Sequence, residues 1–319
     1  MRCGHCLPTF SQRSGPYWAG VGSRLRSSLP SCFPLLGVQL DLGRAAAGCL
    51  VVANTPKRID ELTSAVRAAL DNRSLDAHAA ATLVGRSAFA GAQCFGRTGT
   101  AFLWPLREAS RSSAPSFVKG RLEYALRWWM TFLQVSAPRT LRLDDPAPPI
   151  LIFGDRCCEE AFQGVGAIVY DRKTSTFECF GLALWQPVVQ KLYKATGSDQ
   201  VIAQLEIIPV LLATWCWSEL FADAGRRCMY FIDNDSARHA LIRGYSPVGA
   251  SRCLVEEYWR DAATLQPAPC FDRVSSSGNP ADGPSRLDFK GTTSLPIVPR
   301  RIAPPDAGAR LLQVLGSGE

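Results

Sequence analysis

The chain has 319 residues, a formal charge of +7, 47% hydrophobic and only 20% charged residues, a globular balance that excludes a disordered class. Uncharged stretches such as 27–40 and 207–218 fall short of the roughly 20 apolar residues a spanning helix needs, so no membrane partner is expected. The twelve cysteines are scattered through apolar segments and no apolar run follows Met1-Arg2, which predicts reduced core thiols in an intracellular, cytoplasmic or nuclear protein.

Residues 1–32 mix Gly, Ser, Pro and Arg without apolar periodicity and read as a poorly ordered N-terminal segment. Cys3, His5 and Cys6 have metal-ligand spacing, but no second Cys pair of that spacing completes a four-ligand zinc site. Residues 33–135 read as mainly helical, with Ile59, Leu62, Val66 and Leu70, then Leu122, Leu126, Trp129 and Leu133, at helical spacing. Two glycine turns there carry Arg86 and Arg97, which serve either as plain turn residues or as contacts to a phosphate. Residues 136–149, with Pro138, Pro146, Pro148 and Pro149, have a linker composition; the Asp144-Asp145 pair lacks the aromatic and the strand of a polymerase turn.

After the linker, 150–155, 165–170 and 176–183 read as a three-strand meander. Leu205, Ile208, Leu212 and Trp215 mark a helix running toward Gly225, with Pro209 expected in its first turns. A strand over 228–233, helices to Gly244 and over 254–265, and a strand over 271–275 follow. Asp155 ends the first strand, Asp233 ends the fourth, and Glu206 begins the first long helix, so three carboxylates are expected at one sheet edge. Asn279-Pro280-Ala281-Asp282 reads as an N-cap, a proline and an acid of a first helical turn, which leaves a capping role open for Asp282. Residues 289–319 read as a Pro/Gly-rich tail. The charge is uneven: residues 1–145 hold 18 Lys or Arg against 9 Asp or Glu, a balance of +9, leaving −2 for the remainder, so a polyanion would meet the front half.

On these residues the segment 150–288 resembles the ribonuclease H domain of retroelement polyproteins, particularly those of tyrosine-recombinase retrotransposons. The resemblance is carried by Gln204-Leu205-Glu206, by Phe231-Ile232-Asp233-Asn234 with Ala237 and the run from Ala240 to Gly244, and by the run from Asn279 through Asp282 to Arg286. More weakly, the run from Leu35 to Asp41 and Leu83-Val84-Gly85-Arg86 resemble the segment after the palm of a reverse transcriptase, which would make 33–135 a thumb or connection remnant.

The resemblance implies an α/β fold with a mixed five-stranded sheet and flanking helices. It also implies hydrolysis of the RNA strand of an RNA/DNA hybrid, alongside other parts of a retroelement polyprotein. Asp155, Glu206, Asp233 and Asp282 take the positions of the family's catalytic metal ligands, for two Mg2+ ions, with Mn2+ as a substitute. Oxygen-only donors suit these cations, and four converging carboxylates would repel one another without them. Asn234, Arg286, Arg86 and Arg97 are candidate nucleic-acid contacts.

Departures from the family pattern are Gly154 before the first acid, Arg156 after it, expected to point away by strand alternation, and no histidine between 271 and 282. His239 is a surface or core residue on this reading, and Asp235 is an alternative to Asp233. A proofreading exonuclease would need an acid where Cys157 stands, and an integrase would use Glu256 or Glu257 and leave Glu206 and Asp282 unexplained. The reading from a different class is a catalytically silent nucleic-acid-binding remnant.

Overall fold

The computed structural model describes residues 30–316 apart from 96, 144–146, 160–161, 197–200, 224, 296 and 305; Cys3, His5, Cys6, Asp144 and Asp145 therefore lie outside the described residues. The described chain begins with a hairpin, β1 (Cys32–Leu35) and β2 (Val38–Asp41), turned by Leu36 and Gly37. Both turn residues have positive φ, 50° and 78°, which matches the right-handed twist of the paired strands. β3 (Cys49–Asn54) pairs with β2, and α1 (Pro56–Asp71) starts at Thr55, whose hydroxyl accepts from the Arg58 amide.

β4 (Ser74–Leu75), α2 (Ala77–Phe95), α3 (Leu103–Ser110), β5 (Ser116–Phe117) and α4 (Gly120–Val135) follow, and β6 (Arg139–Arg142) returns to pair with β3. A part expected to be mainly helical therefore also holds a four-stranded antiparallel sheet, ordered β1-β2-β3-β6. The helical spacing itself reports burial well: Leu62, Val66, Leu122, Leu126, Trp129 and Leu133 all sit in one core. Within 136–149, the Gln266 side-chain amide donates to the Pro138 carbonyl and its oxygen accepts from the Thr140 amide, so this stretch is held on both sides.

The second sheet is built from β7 (Ile150–Glu159), β8 (Phe162–Asp171), β9 (Thr176–Ala183), β10 (Arg227–Ile232), β11 (Ala268–Arg273) and β12 (Arg300–Arg301), in the order β11-β10-β7-β8-β9-β12. β7, β8 and β9 form the antiparallel meander, whereas β10 runs parallel to both β7 and β11. The sheet thus has six strands and not the five implied by the resemblance, because the chain after 289 comes back to pair β12 along β9.

Five longer helices accompany it: α5 (Gln186–Thr196), α6 (Ile202–Cys216), α7 (Asp235–Arg243), α8 (Gly249–Leu265) and, after the short α9 (Asp282–Ser285), α10 (Gly308–Gly316). Ile150, Ile152, Val165, Ala167 and Val169 from one sheet face join Leu205, Ile208, Leu211 and Leu212 of α6 in the main core, with Leu311, Val314 and Leu315 of α10. No helix among the described residues is long and apolar enough to cross a membrane.

Two features of this sheet position the acids. First, β10 pairs with β7 only as far as Phe231 opposite Phe153, while β7 runs on to Glu159. Beyond that point the edge of β7 is open, and continuing the register places Asp233 opposite Asp155. Second, Gly166, directly across from Asp155 on β8, faces Gly181 on β9. A Cβ on Gly166 would stand 2.4 Å from the Ser285 nitrogen, and one on Gly181 would stand 2.1 Å from the Pro284 oxygen. The missing side chains let the backbone of α9 lie directly on the sheet beside Asp155.

Candidate metal centre

Asp155, Glu206 and Asp233 converge, each offering a carboxylate oxygen, with these atoms all within 4.8 Å of one another. They come from a strand, a helix and the end of a neighbouring strand. Glu206 is the fifth residue of α6, and the helix lies on the sheet face opposite α9, so Glu206 meets the other two acids where β10 has stopped pairing. Pro209 lies in the interior of α6 and not in its first turns, because the helix already begins at Ile202. Gly154 accommodates it: a Cβ there would be 3.3 Å from the Pro209 Cβ. The glycine that departs from the family pattern is therefore explained by the proline that packs over it.

Burial and mutual repulsion both act on these acids. Asp155 is only 4% exposed, and its carboxyl is pushed up to about 6, first by burial and then by Asp233. Ser285, whose hydroxyl donates to Asp155 Oδ2 at 3.1 Å, and the Arg156 backbone amide work in the opposite sense. Glu206 is 1% exposed and pushed up to about 10, again first by burial and then by Asp233 and Asp155.

Neither oxygen of Glu206 accepts a hydrogen bond. Asp233, more open than the other two, accepts from the Ser276 hydroxyl at 2.8 Å. Buried carboxylate oxygens without hydrogen bonds, set against further carboxylates, are a donor set that suits a hard divalent cation. The residues present fit Mg2+ or Mn2+.

Asp282 lies outside this group. Its carboxylate is 51% exposed and Oδ1 accepts from Arg286 Nε at 3.2 Å, while Arg286 also pairs with Glu159 at 2.6 Å. Its helix nevertheless touches the site, since Ser285 bridges from the Asp282 carbonyl to Asp155. The helix starts at Asp282, and Asn279 caps the turn ahead of it: its side-chain oxygen accepts from the Ala281 amide at 3.2 Å, while its side-chain amide donates to the Gly154 carbonyl at 2.9 Å and ties the turn to β7.

Arg156 obeys strand alternation, yet the face it turns to is the one that α6 covers. Its Nε stands 3.2 Å from Glu206 Oε1, so the expectation that it points away from the site is corrected. Alternation set the face but not the identity of the helix residue waiting there.

Asp235 pairs with Arg238 and Arg273, and it is Asp233 that joins the acids. Glu257 is engaged by Arg260 and Arg310, and Glu256 lies beside Arg260, which leaves neither in the cluster. His239 is exposed on α7. Of the candidate nucleic-acid contacts, Asn234 caps α7 by accepting from the Ala237 amide, and Arg97 donates to the Ile242 carbonyl at 3.2 Å. Arg286 is held by the two acids named above, and Arg86 is exposed on α2.

No protein-family model matches the chain, and no curated protein matches it. Among solved structures, the chain is similar to the N-terminal RNase H domain of a Mycobacterium tuberculosis protein, solved as a fusion with maltose-binding protein. The identity is 13% and the TM-score 0.30, over 52% of this chain and 96% of that one.

Proposed function

We propose that the chain is a divalent-cation-dependent endonuclease that hydrolyses the RNA strand of RNA/DNA hybrids, as part of a retroelement reverse-transcription apparatus. The observation that carries the reading is the convergence of Asp155, Glu206 and Asp233, with Glu206 almost wholly buried among them. These three acids would hold the cation. Asp282 is given the fourth position on the sequence resemblance and not on its contacts.

When bound, Mg2+ or Mn2+ supplies the Lewis acidity that activates water and stabilises the departing ribose oxygen in a direct displacement. Ser285 and Ser276 orient Asp155 and Asp233 through the hydrogen bonds they donate, and Asn279 fixes α9 against β7. The basic front half would follow the phosphate backbone without reading sequence.

The rival reading, a silent nucleic-acid binder, is favoured by one observation: two of the four acids, Glu206 and Asp282, already face arginines. Labelled RNA paired to DNA, incubated with the full chain and Mg2+ or Mn2+, separates the two. Cleavage of the hybrid in preference to single-stranded RNA, duplex RNA and duplex DNA is expected, as is its loss in Asp155→Asn and Asp233→Asn variants whose melting curves stay cooperative. Tight binding with no cleavage under any cation would establish the binder instead.

A further inference from the structure

We propose that Arg156 is a resident counter-charge for the acid cluster, placed against Glu206: it offsets the acids' repulsion when no divalent cation is bound and opposes the cation when one arrives. The inference rests on the reading of the three acids as a cation site. The geometry behind it is specific. Asp155 and Arg156 are successive residues of one strand, so their side chains leave on opposite faces, Asp155 toward α9 and Arg156 toward α6.

On the α6 side Arg156 meets a glutamate that is almost wholly buried, with Nε 3.2 Å from Oε1, while the arginine side chain is itself 27% exposed. The contact lies within ion-pair range but outside hydrogen-bond geometry: the buried Nε has no acceptor and both Glu206 oxygens have no donor. Such a pair is electrostatic and loosely built, so it can open without breaking a directional bond. A guanidinium does not lose its proton in a protein, so its charge stays beside the acids at every working pH.

Two consequences follow from elementary electrostatics. A fixed positive charge within one side chain's reach of the cation weakens divalent-cation affinity, by about tenfold or more at the effective dielectric of a partly buried site. The same charge offsets part of the mutual repulsion of the clustered acids when no cation is there. Arg156 is therefore a positioning residue. It acts on the cation through Glu206.

The test titrates Mg2+ and Mn2+ calorimetrically into the full-length wild type and the Arg156→Gln, Arg156→Lys and Glu206→Gln variants, with melting curves in chelator and in cation. Arg156→Gln is expected to bind cation about tenfold tighter, to melt lower in chelator and to gain more from added cation, with Arg156→Lys close to wild type. Arg156→Met, which keeps the apolar stem over α6 but drops the charge, is the second variant.

Should either neutral variant fold only when Mn2+ is present, that is the expected result at its extreme. Failure of both to fold with or without cation overturns the role, because a counter-charge is replaceable by the cation. Cation affinity unchanged or weakened in folded Arg156→Gln, with wild type binding normally, overturns the Arg156 inference alone. A wild type that binds neither cation overturns the site reading beneath it.

Discussion

At the scale of single residues, the acid cluster couples protonation, cation binding and stability. A free carboxyl loses its proton near pH 4. In the folded chain Asp155 keeps its proton up to about 6 and Glu206 up to about 10, so from about pH 4 up to those values the folded state binds more protons than the unfolded state. Stability of the cation-free protein should then fall as pH rises above about 4, the greater part of the loss belonging to Glu206 and continuing past neutrality. A divalent cation reverses this by supplying the opposite charge. Melting temperatures in chelator should be higher at pH 5 than at pH 8, and the gain on adding Mg2+ should be larger at pH 8. Glu206→Gln should flatten both trends, and a chelator series flat with pH in the wild type would count against a proton-hungry cluster. The three acids were legible in the sequence because Asp155 and Asp233 close apolar runs and Glu206 stands at the head of one, although β7 runs four residues past Asp155 and α6 begins four residues before Glu206. Asp282 was legible only as a helix-start acid, and its capture by Arg286 depends on an exposed side chain that local pattern does not direct. Arg156 was misread for the same kind of reason: alternation tells which face, and the occupant of that face is a long-range matter.

At the scale of elements, the α9 contact with the sheet shows how the fold sets the site. Gly166 and Gly181 leave a bare patch on β8 and β9, and the backbone at Pro284 and Ser285 fills it. Gly166→Ala would drive a methyl group into the Ser285 nitrogen and the Pro284 carbonyl carbon, backbone atoms that cannot swing aside. The expected cost is about 1–3 kcal/mol, in the range of core overpacking, with lift-off of α9 and loss of the Ser285 bond to Asp155. Urea unfolding measures the first effect and cation affinity the second; a variant equal to wild type in both would show that α9 is not seated by this patch. Glycines inside strand-like runs were visible in the sequence, but what lies over them was not. The meander, the strands β10 and β11 and the helices α6, α7 and α8 were legible from apolar runs of the right length between turns, whereas α5 and α10 were not read. The β1-β2-β3-β6 sheet was not, because its hairpin turns on Leu36-Gly37 in place of a strong turn pair, and β6 is a four-residue strand in a proline-rich stretch whose partner lies about 90 positions earlier.

At the scale of the whole molecule, the question is which parts the acid-bearing sheet needs in order to fold. The front helices touch α7 and α8 through polar and stacking contacts: the Thr98 hydroxyl donates to the Trp259 carbonyl, and Trp104 stacks on Tyr245 at 4.9 Å. Arg97 also donates to the Ile242 carbonyl and Ala263 of α8 packs against the front core, yet each half keeps an apolar core of its own. The tail is different. Leu311, Val314 and Leu315 of α10 belong to the same core as the sheet, and Arg310 lies over Trp215 at 4.0 Å while binding Glu257 and Asp261. Burying three aliphatic side chains stabilises by roughly 1.5–3 kcal/mol each, an upper bound on a total that rivals the 5–15 kcal/mol by which a domain is ordinarily stable. A fragment of residues 148–316 is therefore expected to melt cooperatively without the front half, keeping the Pro148 carbonyl that accepts from buried Arg226. A fragment of residues 148–290, which corresponds to the segment of sequence resemblance alone, exposes the α10 docking surface around Trp215 and Glu257. It should melt far lower or without a cooperative transition. Circular dichroism melts of the two fragments, each with and without Mg2+, decide the matter. Equal transitions would mean that α10 is an ornament on a self-sufficient sheet; a stable long fragment beside a failing short one would put the lower limit of the folding unit in the tail.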